Sequence, residues 1–160
     1  MSSAVMLSIR PEWCELIADR SKRDEVRKTK PNIQTPFKCY IYCTSARGAG
    51  TIPRGYNWRY RDAKGEFLVY GERFSEFLTG YVIGEFVCDD IHAYPQGTFP
   101  TDFALSDMCM KGSQFHKYRG YGTVYGWHIS DLVIYDTPKT LQEFGITMPP
   151  QSWRYVEEET

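Results

Sequence analysis

Lys22, Glu25 and Arg27 are the residues of this 160-residue chain best spaced for chemistry. Glu25 and Arg27 stand two apart, so in an extended segment their carboxylate and guanidinium share one side and Val26 takes the other. Lys22 precedes them at the end of a short helical stretch, which makes a compact polar group of both signs. Such a group can bind. Lys22 and Arg27, joined by the adjacent Lys28, would hold a phosphate or a base oxygen, and Glu25 would accept from a base amine. It can also catalyse, if Lys22 has a lowered pKa or Glu25 serves as a general base, with His128 or Lys22 sharing the acid/base work. The plainer reading is an ion pair between Glu25 and Arg27 that pins the helix to the rest of the fold.

The elements that must position these groups are legible around them. Ala4 to Ile9 reads as a strand. Pro11 suits the first position of a helix, where its missing N–H costs nothing. Trp13, Leu16 and Ile17 then recur at i, i+3 and i+4 and give that helix, through about Asp19, one apolar face. Asp24 to Lys28 is the second strand. Lys38 to Thr44 is the clearest strand: Cys39, Ile41 and Cys43 alternate with Tyr40 and Tyr42, and both faces read as covered, as in a barrel wall. Further strands are predicted at Glu66 to Tyr70, Tyr81 to Cys88, Tyr125 to Ile129, Leu132 to Tyr135 and Ser152 to Glu157. Gly84 allows a close backbone approach within one of them. Ala104 to Arg119 is predicted helical in two pieces, with a new N-cap at Ser113, and Thr137-Pro138 is predicted to open a short helix through Phe144.

Residues 45–65 break the pattern with glycines, four arginines and the alternating Tyr56, Trp58 and Tyr60. Arginine interleaved with aromatics suits single-stranded nucleic acid or a protein partner such as a host factor, while a short hairpin covering the sheet accounts for it equally well. Tyr42, Trp58 and Trp127 are candidate stacking platforms.

Composition bounds the options. The hydrophobic fraction of 42% and charged fraction of 24% are those of one ordinary globular domain, expected to span residues 1–160. A net charge of −1 removes any whole-molecule attraction to nucleic acid, so binding of that kind needs a local patch. Arg20, Lys22, Arg23, Arg27, Lys28 and Lys30 supply one. Five cysteines without CxxC spacing favour neither a disulfide framework nor a zinc site, and no cofactor or metal is expected. The amino terminus lacks a signal-peptide pattern and no apolar run is long enough to span a membrane, so the cytoplasm is the expected compartment and a membrane partner is not.

The residues around the polar group resemble the ASCH family of the PUA-like superfamily. The family signature, Gly-x-Lys-x-x-Glu-x-Arg after a Ser-Ile-(Lys/Arg)-Pro helix start, is met by Ser8-Ile9-Arg10-Pro11 and by Lys22, Glu25 and Arg27, with Arg20 at the glycine position. Val82-Ile83-Gly84-Glu85-Phe86, Trp127-His128-Ile129-Ser130-Asp131-Leu132 and Pro149-Pro150-Gln151-Ser152-Trp153 are similar to blocks in short bacterial and phage members. The resemblance implies an α+β, β-rich fold, a small mixed PUA-like barrel with short flanking helices whose first helix borders a cleft. It implies RNA, single-stranded nucleic acid or a modified nucleoside as the ligand. Some members are amidohydrolases of N4-acylated cytidine and others ribonucleases. The amidohydrolase type carries Lys-x-x-Thr, and Glu25 stands where that threonine would be.

Overall fold

The computed structural model describes residues 3–44, 58–61, 67–70 and 79–159, the second and third of these as backbone only. Six strands form one mixed sheet in the order β2-β7-β6-β3-β1-β8. They are β1 (Ser3–Ile9), β2 (Asp24–Arg27), β3 (Phe37–Cys43), β6 (Tyr81–Tyr94), β7 (Val124–Lys139) and β8 (Trp153–Glu157). Only β1 and β3 run parallel. Parallel neighbours need a crossover, and helix α1 (Pro11–Ala18) with β2 supplies it. β4 (Trp58–Arg61) and β5 (Phe67–Tyr70) form a separate antiparallel pair. The remainder of the arginine-rich 45–65 stretch lies outside the described residues.

The central strands β1 and β3 are buried on both faces, as their apolar runs predict. Val5, Leu7, Ile9, Cys39, Ile41 and Cys43 face the main core with Cys14 and Ile17 of α1. Ala4, Met6, Tyr40 and Tyr42 face a second cluster closed by Leu141 and Ile146. A third cluster joins Val26 and Val124 to Met108 of α2 (Asp102–Met108) and Phe115 of α3 (Gly112–Arg119).

The expected closed barrel is not formed: β2 and β8 remain the two edges of the sheet. Pro149 and Pro150, just before β8, carry no N–H with which to lengthen a ladder. Side chains bridge the edges instead. Arg27 Nη1 donates to Ser152 O at 3.3 Å, Trp153 Nε1 to Thr29 Oγ1 at 2.9 Å, and the Asn32 N–H to Tyr155 Oη at 2.7 Å.

Long-range packing also redraws several predicted boundaries. β6 continues to Tyr94, and the two strands predicted on either side of Ser130-Asp131 are one strand, β7. The break is absorbed by register shifts between β6 and β7 and by Asp131 at φ +47°, since bulges bend a strand without ending it. Gly84 lies at one such shift, and a Cβ there would run into the Val133 carbonyl. Thr137 and Pro138 belong to β7; a 3-10 turn, Leu141–Phe144, starts only after Thr140, whose N–H donates to Glu143 Oε2 at 2.7 Å. Helix α3 is capped at Lys111 rather than Ser113, with the Lys111 N–H donating to Gln114 Oε1 at 2.8 Å.

The turn after α1 aims the polar group. Arg20 adopts φ +69°, the left-handed conformation that glycine enters without penalty. Its N–H bonds Ile17 O at 3.0 Å, and the Lys22 N–H bonds Leu16 O at 2.9 Å, which folds the chain back toward the sheet. The Arg20 side chain is exposed and makes one long contact, 3.4 Å to Leu132 O. Arg20→Gly is therefore expected to raise stability by up to about 1 kcal/mol, read as a higher denaturation midpoint at unchanged slope.

Candidate ligand cleft

Lys22 and Glu25 are both buried, at 4% and 5% exposure, in a cleft of about 570 Å³ where the sheet edges meet. α1 contributes Trp13, and the chain just before it contributes Arg10. β2 contributes Glu25 and Arg27, β3 contributes Tyr42, and α3 contributes Tyr118. Met110 and the segment 149–151 complete the walls. That segment is tied down by Ser8, whose Oγ donates to Pro150 O at 2.6 Å and whose N–H donates to Ser152 O at 2.9 Å.

The Lys22 ammonium donates to Met108 O at 2.8 Å, at the C-terminal end of α2, where the helix dipole favours a cation. It stands 4.8 Å from the centre of the Trp13 ring and 4.0 Å from Glu25 Oε2. Burial lowers its pKa, and the Glu25 charge opposes that shift only in part.

Glu25 Oε1 accepts from Arg27 Nε at 3.1 Å. Glu25 Oε2 is buried and, among the described residues, has no hydrogen-bond partner. Buried oxygens are almost always bonded, so this one marks a position where the cleft lacks a donor.

Arg27 is differently placed from its expected role. Besides Glu25 and Ser8 O, it donates through Nη1 to Ser152 O at 3.3 Å and Ser152 Oγ at 3.2 Å. Four of its five N–H donors are thereby bonded to the protein, and it braces the edge gap from within the cleft lining. Arg10 is exposed at the rim; its carbonyl accepts from the Trp13 and Cys14 N–H groups, while its guanidinium, among the described residues, makes no hydrogen bond or ion pair. It lies just before the Pro11 helix start and leaves the chain ahead of the first turn, a signal present in the sequence. Tyr118 and Met110 carried no such local signal.

The other sequence candidates divide. Tyr42 lines the cleft. Lys28 lies outside it, with its ammonium 5.0 Å from the centre of the Tyr118 ring. Trp127 is no stacking platform: it is fully buried, edge-on to Phe37 and Trp153. Neighbours on a strand point to opposite sides, so His128 leaves on the outer face, its Nδ1 2.6 Å from Asp89 Oδ1. Burial lowers the His128 pKa, but the Asp89 bond and charge, with Asp24 and Asp107 nearby, outweigh it and raise the value. The side chain of Trp58 lies outside the described residues. Among the described residues no three His, Cys, Asp or Glu side chains converge as metal ligands, and no helix is long and apolar enough to cross a membrane.

No family model and no curated protein matches the sequence. Solved structures do. ASCH from Zymomonas mobilis aligns over 97% of this chain and 88% of that one, at TM-score 0.60 and 16% identity. A serine-to-alanine mutant of that protein aligns over 97% and 89% at TM-score 0.64, again at 16% identity. Its tyrosine-to-phenylalanine mutant aligns over 97% and 91% at TM-score 0.59 and the same identity. The chain therefore has the ASCH fold, which the residues from Ser8 to Pro11 and from Lys22 to Arg27 implied.

Proposed function

We propose that this protein is a nucleic-acid-related binding module whose cleft takes a base bearing an exocyclic amine, cytosine in the first instance. The observation that carries this reading is the buried Glu25 Oε2, which has no hydrogen-bond partner among the described residues. An amine N–H would complete its bonding, the pairing by which carboxylates read cytosine N4. Lys22, at 4.0 Å from the same oxygen, is placed to donate to an adjacent base acceptor. Trp13, Tyr42 and Tyr118 give the cleft aromatic walls, and Arg10 offers a free guanidinium at the rim for sugar or phosphate. About 570 Å³ is ample for a nucleoside.

Calorimetric titration tests the reading. Cytidine is expected to bind more tightly than uridine, which presents a carbonyl where cytosine has its amine. Glu25→Gln keeps the side-chain shape but removes the charge. A hydrogen bond to a charged group contributes about 1.5–3 kcal/mol, so cytidine affinity should fall about 10- to 150-fold. Equal affinities for the two nucleosides, or an unchanged affinity in the variant, would contradict the proposal.

The lowered pKa of Lys22 beside a carboxylate favours one second reading, hydrolysis of an N4-acylated cytidine in the same cleft. Chromatographic assay of cytidine release from N4-acetylcytidine tests it directly.

A further inference from the structure

Outside the cleft, a histidine sits among carboxylates drawn from three elements. His128 of β7 pairs with Asp24 of β2 across the ladder, and its Nδ1 lies 2.6 Å from Asp89 Oδ1 of β6. Asp107 of α2 adds its charge to theirs at the imidazole. Asp90 and Tyr94 of β6 border Asp24, and the His92 ring lies 4.6 Å from that of Tyr94. Of the neighbouring cations, Lys22 is turned to Met108 O and Glu25. Arg23 is exposed and, among the described residues, makes no ion pair. A protonated His128 therefore offsets these carboxylates, and a neutral one leaves them to repel one another.

The same elements meet at one backbone junction. The Arg23 N–H donates to Asp107 O at 2.7 Å, and the Ile129 N–H donates to Arg23 O at 2.8 Å, so Arg23 is held between α2 and β7. Asp24 follows Arg23, His128 precedes Ile129, and Asp107 is itself the acceptor. The polar groups of the cleft hang from this junction. Lys22 and Glu25 stand on either side of Arg23 and Asp24, and Met108, whose carbonyl holds the Lys22 ammonium, follows Asp107. We propose that His128 is a proton-dependent clasp: protonated, it holds the junction of α2, β2 and β7 shut and Lys22 and Glu25 in place, and neutral, it lets that junction loosen. The clasp acts on the mount of the cleft, whatever ligand enters. Burial disfavours the imidazolium, but the Asp89 bond and charge, with Asp24 and Asp107, outweigh it and raise the pKa above the ordinary 6.5. Protonation thus favours the closed form, with a gain complete below the ordinary value and lost as pH rises through the raised one.

Hydrogen exchange of the full-length protein, read by NMR beside the pH titration of the His128 ring, tests the clasp. Protection of the Arg23 and Ile129 amides, corrected for intrinsic rate, is expected to fall about 1.4- to 5-fold between about pH 5.5 and about pH 8.5, the worth of an exposed ion pair. The fall should share the midpoint of the ring titration, and amides of the β1–β3 ladder should not follow it. The Trp13 indole resonance, whose ring centre is 4.8 Å from the Lys22 ammonium, should shift with that midpoint too. In His128→Gln the two amides should be less protected than wild type at the lower pH and equal to it at the higher. A wild-type protection that stays flat, falls at another midpoint, or falls equally in the β1–β3 ladder overturns the clasp, and that arm needs no variant. A His128→Gln deficit equal at both pH values also overturns it, since the histidine would then serve packing alone. A Trp13 resonance indifferent to the ring midpoint overturns the hold on the cleft.

Discussion

Arg27→Ala is expected to remove about 3–5 kcal/mol of folding stability, the range found when one partner of a buried charge pair is deleted. Among the described residues Arg27 is the sole cation in hydrogen-bond contact with Glu25, a carboxylate only 7% exposed. Lys22, at 4.0 Å, is too far to take over that bond. The same guanidinium satisfies Ser8 O and Ser152 O, so its loss strands a buried charge and strips two carbonyls of a donor at once. Arg27→Lys should fall between the variant and the parent, because an ammonium cannot reproduce the planar fork that reaches four acceptors. Equilibrium denaturation with urea measures both. A loss below about 1 kcal/mol for the alanine variant would place these contacts with ordinary surface pairs and contradict the brace.

Trp127→Ala should cost a similar amount, about 3–5 kcal/mol, as large aromatic-to-alanine changes in cores do. Trp127 is wholly buried and meets Phe37 at 5.9 Å and 80° and Trp153 at 6.1 Å and 61°, the edge-to-face geometry that adds to area burial. It also lies opposite Glu25 in the β2–β7 ladder, so it backs the strand that carries the candidate site. Trp127→Phe should be much milder: it keeps an aromatic ring and removes an indole N–H that is buried without a hydrogen-bond partner among the described residues. A residue that stacked on a base would behave the other way, with affinity lost and the unfolding midpoint unmoved, and that pattern would overturn the core assignment.

These two residues show where sequence reasoning held and where it stopped. Periodicity and local chemistry placed the Pro11 helix, the two covered faces of β3 and the grouping of Lys22, Glu25 and Arg27 on adjoining elements. The family signature went further, since Arg20 takes the backbone conformation that a glycine at its position would take. What the sequence could not display was the partners of those groups. The Lys22 ammonium is held by a backbone carbonyl 86 residues away and Arg27 by a serine 125 residues away. Neither carries a local signature. The closed barrel failed for a related reason. Strand patterns record which residues are apolar, whereas closure depends on whether two edges have N–H and C=O groups left in register, and the prolines before β8 remove some of those donors. His128 and Trp127 are adjacent in sequence, yet strand alternation alone separates their fates, and the register shifts of β6 and β7 decide that Asp89 meets His128.

The edges of the sheet touch through side chains and not through main-chain pairing. Their separation is therefore set by rotamers and can widen without rupturing any inter-strand ladder. A fully paired cylinder would fix its mouth as rigidly as its wall. Here the span of the mouth is held by the Arg27 guanidinium and two further side-chain bonds, while the six-stranded body behind it is held by main-chain ladders.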